Sequence, residues 1–231
     1  MIIYTDETVF NCNADCIVNT INCVGVMGKG LALEFSLRYP ELNNIYMNQC
    51  KNKLIKTGQV YFYEIEENKI INFPTKYHFK YPSKIEWIES GLKDFVRKYK
   101  TYNIRSIAFP YLGCSNGELD KNEVKKVMEK YLNLEDITVY ICSSLLLNGI
   151  EKIMIDRFRK TEILQLASKI KLNRVQMKNL IENQNKIYRF YEILNIDSIG
   201  ITTYKNIYNY FYNNKNTEEI YYQPNLFDNI E

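Results

Sequence analysis

Apolar positions along residues 1–145 alternate between short strand-like runs and longer stretches with helical spacing. The pattern predicts strands at residues 2–4, 16–19, 60–65, 69–73, 106–109 and 137–142. It predicts helices at residues 31–39, 83–100 and 119–132, the first stopped by Pro40 and the second capped by Ser83 with Glu86 as its capping-box partner. This order predicts an α/β fold in which helices cover both faces of a mixed, mostly parallel sheet.

The pattern changes after residue 150, because the apolar spacing from residue 152 to residue 194 is helical throughout. We therefore predict an α/β domain at residues 1–150, a helical appendage at 151–215 and an acidic, flexible tail at 216–231. The polar positions of the appendage carry several lysines and arginines with few acids. Such a face is either simply solvated or contacts a nucleic acid or a protein partner.

Composition narrows the possible classes of protein. An apolar fraction of 46% is ample for a packed core. No run approaches the roughly 20 apolar residues that cross a bilayer, and the N-terminus carries no signal-peptide pattern, so we expect a cytoplasmic protein with no membrane contact. Six cysteines without a Cys-x-x-Cys pair indicate reduced thiols, and a single histidine, His78, argues against a metal site. The net charge of +3 does not indicate a nucleic-acid partner by itself.

Three of the predicted strands lead into polar segments. Residues 19–32 form a glycine-spaced loop before a helix, which is how α/β proteins seat a phosphate, although an ordinary strand-to-helix connection is the alternative. Residues 71–79 place Lys76 and His78 after a turn fixed by Pro74, and residues 108–117 form a second glycine-bounded loop. Because parallel strands end at the same edge of a sheet, we expect the three segments to line one cleft.

In this order and spacing, Asn-Thr-Ile-Asn-Cys-Val-Gly-Val-Met-Gly-Lys-Gly, Asn-Phe-Pro-Thr-Lys and Pro-x-Leu-Gly-Cys resemble the macrodomain family, whose members bind ADP-ribose. The resemblance covers about residues 1–145 and is nearest to the DNA ADP-ribosyl glycohydrolase antitoxins of the DarG type. It implies a macrodomain-like three-layer α/β/α fold, no cofactor, and removal of ADP-ribose from modified bases in DNA to counter a DNA ADP-ribosyltransferase toxin. A non-catalytic ADP-ribose reader and a hydrolase of ADP-ribosylated protein are the alternatives.

The resemblance also implies roles for individual residues. Lys76 is implied as the catalytic residue, acting as a nucleophile on the sugar or as a general base on water, and Asn22 as the contact to the distal ribose. A solvated surface lysine and a turn-capping asparagine are the alternatives. Thr8 and its neighbours are predicted to recognise adenine, and Cys114 is interpreted as a small loop residue. The full set of expected substrate contacts is Thr8, Val9, Asn22, Gly25, Val26, Met27, Gly28, Lys29, Gly30, Pro74, Thr75, His78, Gly113, Cys114, Ser115, Asn116 and Gly117.

The expected partners follow from the same resemblance. Protein-directed relatives pair their lysine with an aspartate in the second glycine loop, where this chain has Gly117, so ADP-ribosylated single-stranded DNA is the expected substrate and ADP-ribose the product. Tyr77, His78 and Phe79 are predicted to stack on the modified base, with packing against the next helix as the alternative. The cognate toxin is an expected partner of residues 151–215. Residues 223–227, Gln-Pro-Asn-Leu-Phe, resemble peptides that dock on sliding clamps.

Overall fold

The computed structural model describes residues 1–147 and 149–214, which fall into two compact units. The first unit is Met1–Leu147, and the second contains residues 149–214. The expected tail at 216–231, with the clamp-like peptide at 223–227, lies outside the described residues. No helix within the two described ranges is both long enough and apolar enough to cross a membrane.

Within the described residues, the first unit is built on one six-stranded sheet with the order β1-β6-β5-β2-β4-β3. Its strands are β1 (Ile2–Thr5), β2 (Cys16–Asn22), β3 (Tyr61–Ile65), β4 (Asn68–Lys76), β5 (Ser106–Pro110) and β6 (Thr138–Cys142). Every neighbouring pair is parallel except β3 with β4, which form an antiparallel hairpin. The predicted mixed, mostly parallel sheet is therefore confirmed.

Helices cover both faces of this sheet. One face carries α1 (Gly30–Arg38) and α2 (Pro40–Lys51), and the other carries α3 (Ile85–Lys98) and α4 (Lys121–Leu132). Successive side chains of a strand point to opposite faces, so Ile70 packs in the cluster that contains Phe35 of α1, while Ile71 packs in the cluster that contains Leu92 of α3. The three-layer prediction is confirmed, and the buried strands explain the continuous apolar runs in the sequence.

One prediction about helix ends is confirmed and one is wrong. Helix α1 ends at Arg38, before Pro40, as predicted, but Pro40 occupies the first turn of α2, a helix that we had not predicted. Proline suits this position because a first-turn residue has no intrahelical use for an N–H group. Helix α3 begins at Ile85 with Lys84 as its N-cap, so Ser83 does not cap the helix and forms no capping box with Glu86.

Two strands extend further than predicted. Strand β2 continues to Asn22, so residues 20–22 belong to the sheet and not to the glycine loop. Pro74 lies inside β4, in register with Ile21, and does not form a turn. Proline is accepted there because β3 pairs with β4 only as far as Asn72, so the neighbouring side of β4 is open where the N–H group is missing.

The second unit is helical, as predicted. Its helices are α5 (Gly149–Lys160), α6 (Ile163–Ile170), α7 (Arg174–Asn183) and α8 (Ile201–Asn213), with 3-10 turns at Gln184–Lys186 and Phe190–Asn195. Phe158 of α5 packs edge-to-face on Phe211 of α8, with ring centroids 5.7 Å apart. A buried ion pair between Glu151 and Arg189, at 2.9 Å, ties α5 to the segment before α8. The unit thus has a core of its own.

Candidate functional site

The three polar segments meet at one edge of the sheet. Strands β2 and β4 are parallel neighbours, and Asn22 at the end of β2 stands in register with Lys76 at the end of β4. Strand β5 pairs with β2 on its other side and ends at Pro110, directly before the second glycine loop. The structure therefore places both glycine loops and Lys76 at neighbouring strand ends.

The side chain of Asn22 organises the first glycine loop. It is only 6% exposed, and its amide nitrogen donates to the carbonyl of Val26 at 2.6 Å. Its Oδ1 accepts from the N–H group of Val24 at 3.0 Å and from the hydroxyl of Tyr46 at 3.0 Å. An asparagine amide has two N–H groups, so a second one can donate to another acceptor after the bond to Val26 is made.

Tyr46 is a site residue that the sequence analysis missed. It lies on α2, and its buried hydroxyl donates to both the backbone carbonyl and the side-chain oxygen of Asn22. Burial raises the pKa of this hydroxyl, so it stays protonated as a donor. The signal in the sequence was the helical spacing of Leu42, Tyr46 and Cys50 after Pro40, because these are the buried residues of α2.

Two glycines let the backbone of the first glycine loop adopt positive φ angles. Gly25 has φ +81° and Gly30 has φ +55°, in the left-handed region that side chains disfavour. A Cβ atom at Gly30 would stand 3.0 Å from Nδ2 of Asn116, so the two glycine loops approach closely here. The side chain of Val26 is exposed, whereas that of Met27 is 5% exposed and packs in the core cluster with Tyr46. Met27 therefore anchors the loop through its side chain.

The first glycine loop leads into α1, so the N-terminus of this helix lies at the same edge of the sheet as Asn22 and Lys76. Lys29 is the extended N-cap residue, exposed to solvent, and no side chain caps the helix. The first N–H groups of a helix lack intrahelical acceptors and carry the positive end of the helix dipole. With the half-exposed Gly28 beside them, these groups can bind the negative charge of a diphosphate without a metal ion.

Lys76 links the end of β4 to the second glycine loop. Pro74 and Thr75 before it are buried, whereas Lys76 is half-buried. Its Nζ donates to the backbone carbonyl of Asn116 and, at 3.3 Å, to the carbonyl of Phe79. The amine is therefore held between two backbone segments at the open edge of the sheet.

The second glycine loop leaves no space for a side chain at position 117. Gly117 is buried, and its carbonyl accepts from the N–H group of Ser83 at 2.9 Å. A Cβ atom at Gly117 would lie 2.3 Å from the carbonyl oxygen of Gly113 and 2.4 Å from Oγ of Ser83. Ser115 and Asn116 at the tip are exposed. An aspartate at position 117 does not fit this loop. Because Ser83 packs against Gly117, it is buried here and does not cap α3.

Cys114 lies in the same loop, and its surroundings favour the protonated thiol. Its Sγ donates to the carbonyl of Leu112 at 3.7 Å, and burial raises the pKa of the thiol to about 11 despite the nearby charge of Lys121. The thiolate is the reactive form of cysteine, so a thiol with this pKa is unreactive near neutral pH.

Thr8 and Val9 follow β1, and strands β6 and β5 stand between β1 and β2. Thr8 is 8% exposed, and Val9 is fully buried in the cluster that contains Phe35. The structure thus places both residues at the same edge of the sheet but apart from Asn22 and Lys76. Since the side chain of Val9 is in the core, a contact to adenine through that side chain has no geometric support.

Aromatic side chains follow Lys76 in the chain. The ring of His78 stacks on Phe79 at a centroid distance of 4.4 Å and lies 5.5 Å from the ring of Tyr81. Tyr77, Phe79 and Tyr81 are 63%, 44% and 63% exposed, so these rings face solvent. We call Tyr77, His78, Phe79 and Tyr81 the aromatic patch. The sequence analysis missed Tyr81.

Metal ligands are not grouped at this site. In residues 1–147 and 149–214, no three or more His, Cys, Asp or Glu side chains are arranged to hold a metal ion. The groups that face the edge are backbone N–H groups, the amide of Asn22 and the amine of Lys76.

Comparison with curated proteins finds relatives of the first unit. A protein of Mycobacterium tuberculosis named DNA ADP-ribosyl glycohydrolase is 39% identical over 146 residues, which are 61% of this chain and 42% of the relative. The chain therefore spans less than half the length of this curated relative.

Solved structures and a family model agree with this match. The macrodomain of Mycobacterium tuberculosis DarG has a TM-score of 0.59 at 39% identity, covering 62% of this chain and 97% of that one. Thermosipho africanus DarTG in complex with ADP-ribose has a TM-score of 0.57 at 32% identity, covering 65% and 44%. The model described as Macro domain matches residues 18–128. The fold and the polar loops at the edge of its sheet agree with these matches. The chain therefore belongs to the macrodomain family.

Proposed function

We propose that this chain is a DNA ADP-ribosyl glycohydrolase, which cleaves the N-glycosidic bond between ADP-ribose and a base of DNA and so acts as the antitoxin to a DNA ADP-ribosyltransferase. The name of the Mycobacterium tuberculosis relative and the ADP-ribose in the Thermosipho africanus structure support this substrate class. The single observation that carries the proposal is the position of the Lys76 amine, held by the Asn116 carbonyl beside the end of β2. A reader of ADP-ribose has no use for an amine there.

The ligand is placed as follows. The diphosphate binds at the N-terminus of α1, where residues 25–30 and residues 113–117 supply backbone N–H groups. The free N–H group of Asn22 donates to a hydroxyl of the distal ribose. Because Asn22 and Lys76 stand in register on neighbouring strands, the anomeric carbon of that ribose lies next to the amine.

Two mechanisms use Lys76 at this position. In the first, the amine attacks the anomeric carbon, the base departs, and the opened sugar stays linked to Nζ as an imine until water releases ADP-ribose. In the second, the bond to the base breaks as water attacks the anomeric carbon, and the amine takes a proton from that water and returns it to the departing base. Both pass through an oxocarbenium-like state at that carbon, and both need the unprotonated amine close to it.

DNA is preferred over protein as the carrier of ADP-ribose. Gly117 cannot be replaced by the aspartate of protein-directed enzymes, because a Cβ atom there would overlap Gly113 and Ser83. The aromatic patch offers rings on which unpaired bases stack, which favours single-stranded DNA. We place the reaction in the cytoplasm, where the free cysteines found among the described residues stay reduced. Contact with the toxin through residues 151–215 and with a sliding clamp through residues 223–227 stay predictions.

The proposal is tested by offering the full chain two substrates side by side. One is single-stranded DNA carrying ADP-ribose on thymine or on guanine, and the other is a protein carrying ADP-ribose, with released ADP-ribose measured by mass spectrometry. We expect release from one of the DNA substrates and little from the protein. Faster release from the protein would show the other hydrolase class, and binding of ADP-ribose without release from any substrate would show a reader.

The aromatic patch gives a separate prediction. Replacing both Phe79 and Tyr81 by alanine should raise KM for modified single-stranded DNA about tenfold, because one stacked base contributes ~1–3 kcal/mol. The affinity for free ADP-ribose should change little, since its proposed contacts are the N-terminus of α1 and Asn22. Leu54→Ala is the matched control, because Leu54 is a 57% exposed apolar residue outside the patch. An unchanged KM in the double variant contradicts base stacking at this patch.

A further inference from the structure

The second unit contains two helices joined by a short, well-defined turn. Helix α6 ends at Ile170 and α7 begins at Arg174, with Lys171, Leu172 and Asn173 between them. Lys171 adopts the left-handed conformation, at φ 56° and ψ 55°, and ends α6. Asn173 caps α7 through a complete capping box with Gln176. The three-residue turn between these two helices has the length found in helix-turn-helix motifs.

The inner face of this motif is used for packing. Ile163 and Leu166 of α6 and Leu180 of α7 are buried in the second unit. Two polar residues of α7 also face inward, since Nε2 of Gln176 donates to Oγ1 of Thr203 at 3.1 Å and Nδ2 of Asn179 donates to the carbonyl of Asp197 at 2.9 Å. These contacts hold α7 on the unit and leave its opposite face outward.

The outer face of α7 is exposed along its whole length. Its exposed side chains are Arg174, Val175, Lys178, Ile181 and Glu182, which follow the spacing of one side of a helix. Val175 and Ile181 are 59% and 55% exposed, so large apolar groups stand in solvent beside two cations. Packing of the second unit does not account for this combination.

The charge of the surrounding surface is complementary to a polyanion. Lys169 and Lys171 are exposed at the end of α6 and at the turn, and Lys186 is exposed beyond α7. Arg174 and Lys178 lie on the outer face itself. An acid near the C-terminal end of that face, Glu182, forms an ion pair with Lys178 at 3.8 Å and offsets part of its charge. The cations are thus concentrated at the turn and at the N-terminal half of α7.

We propose that α6 and α7 form a DNA-binding helix-turn-helix, in which α7 is the recognition helix that enters the major groove of duplex DNA. In this geometry the first residues of the second helix reach base edges while the first helix crosses the phosphate backbone. Arg174 and Lys178 hydrogen-bond base edges, Val175 contacts thymine methyl groups, and Lys169 and Lys171 bind phosphates. The second unit is then a duplex-DNA anchor, which goes beyond the proposed hydrolase function and does not depend on it.

The experiment measures binding of the full chain to an unmodified mixed-sequence duplex of 30 base pairs by fluorescence anisotropy at increasing salt concentration. We expect Arg174→Ala with Lys178→Ala to weaken binding at least tenfold. Lys169→Ala with Lys171→Ala should weaken binding and flatten the dependence of log K on log salt, because each phosphate contact contributes a slope of ~0.9. Lys152→Ala with Lys160→Ala removes the same charge from exposed positions on α5 and should leave binding unchanged.

Lys76→Ala is included to separate the two sites, and it should bind the duplex as the parent chain does. The proposal is overturned if the parent chain does not bind the duplex, or if the α7 and α5 double variants lose binding equally. It is also overturned if the outer face of α7 binds a purified ADP-ribosyltransferase toxin and not the duplex. Because the DNA carries no ADP-ribose, none of these outcomes depends on hydrolase activity.

Discussion

Replacing Lys76 by alanine should lower the rate of ADP-ribose release from modified DNA by about 10³-fold, which is the range for loss of a positioned base or nucleophile. ADP-ribose affinity should change little, because in our proposal the N-terminus of α1 binds the diphosphate and Asn22 binds the ribose. Single-turnover release from modified single-stranded DNA and calorimetric binding of ADP-ribose measure the two quantities separately. An alanine variant with parental activity would remove Lys76 from the mechanism.

Two further variants sharpen this result. Lys76→Arg keeps the positive charge but offers no nucleophilic amine, so it should be as inactive as the alanine variant, whereas activity in the arginine variant would reduce the role of Lys76 to charge alone. Lys80→Ala removes an exposed lysine four positions away and should behave like the parent chain. Trapping with borohydride distinguishes the two mechanisms, because only an imine on Nζ leaves a stable adduct.

Replacing Gly117 by alanine should destabilise the first unit by about 3 kcal/mol, the upper range for forcing extra atoms into a packed site. The added Cβ would stand 2.3 Å from the Gly113 carbonyl and 2.4 Å from Oγ of Ser83, and the first of these is backbone that cannot rotate away. The loop must shift, so we expect ADP-ribose affinity to fall at least tenfold. Chemical unfolding and calorimetry measure the two effects.

Gly117→Asp tests the substrate argument in the same position. We expect it to lose affinity like the alanine variant and not to gain activity on ADP-ribosylated protein, since the carboxylate cannot occupy this loop without displacing it. Gly200→Ala is the control, because a Cβ atom there meets no atom within 4 Å. A stable Gly117→Asp variant with parental affinity would show that the loop accepts a side chain and would remove the steric basis for preferring DNA.

Much of the first unit was predictable because its strands are buried on both faces. Buried parallel strands have continuous apolar sequences, and the polar segments that follow must then lie at one edge of the sheet. The ends of helices and strands were less predictable at prolines, because a proline can end one element, begin another or lie within an edge of a strand. Pro40 stops one helix and starts the next, and Pro74 is accepted in a strand only because β3 is too short to pair beside it.

The contacts that make the site were not predictable in the same way. The Tyr46 hydroxyl reaches Asn22 across 24 positions of sequence, and the Lys76 amine reaches the Asn116 carbonyl across 40. Periodicity reports which face of an element is buried, but not which residues of two distant segments meet. The turn between α6 and α7 was missed for a related reason, because Lys171 stands in the left-handed position where a glycine would have marked the turn.

The sequence by itself determined the layered α/β fold, the helical second unit and the identity of the three polar segments, because hydrophobic periodicity and glycine spacing are local properties of the chain. Only the tertiary structure decided how those segments work together. It placed the amine of Lys76 against the second glycine loop and hydrogen-bonded the Asn22 side chain to the first. It also left no space for a side chain at position 117. These facts depend on the close packing of atoms that are far apart in sequence, which no local pattern encodes.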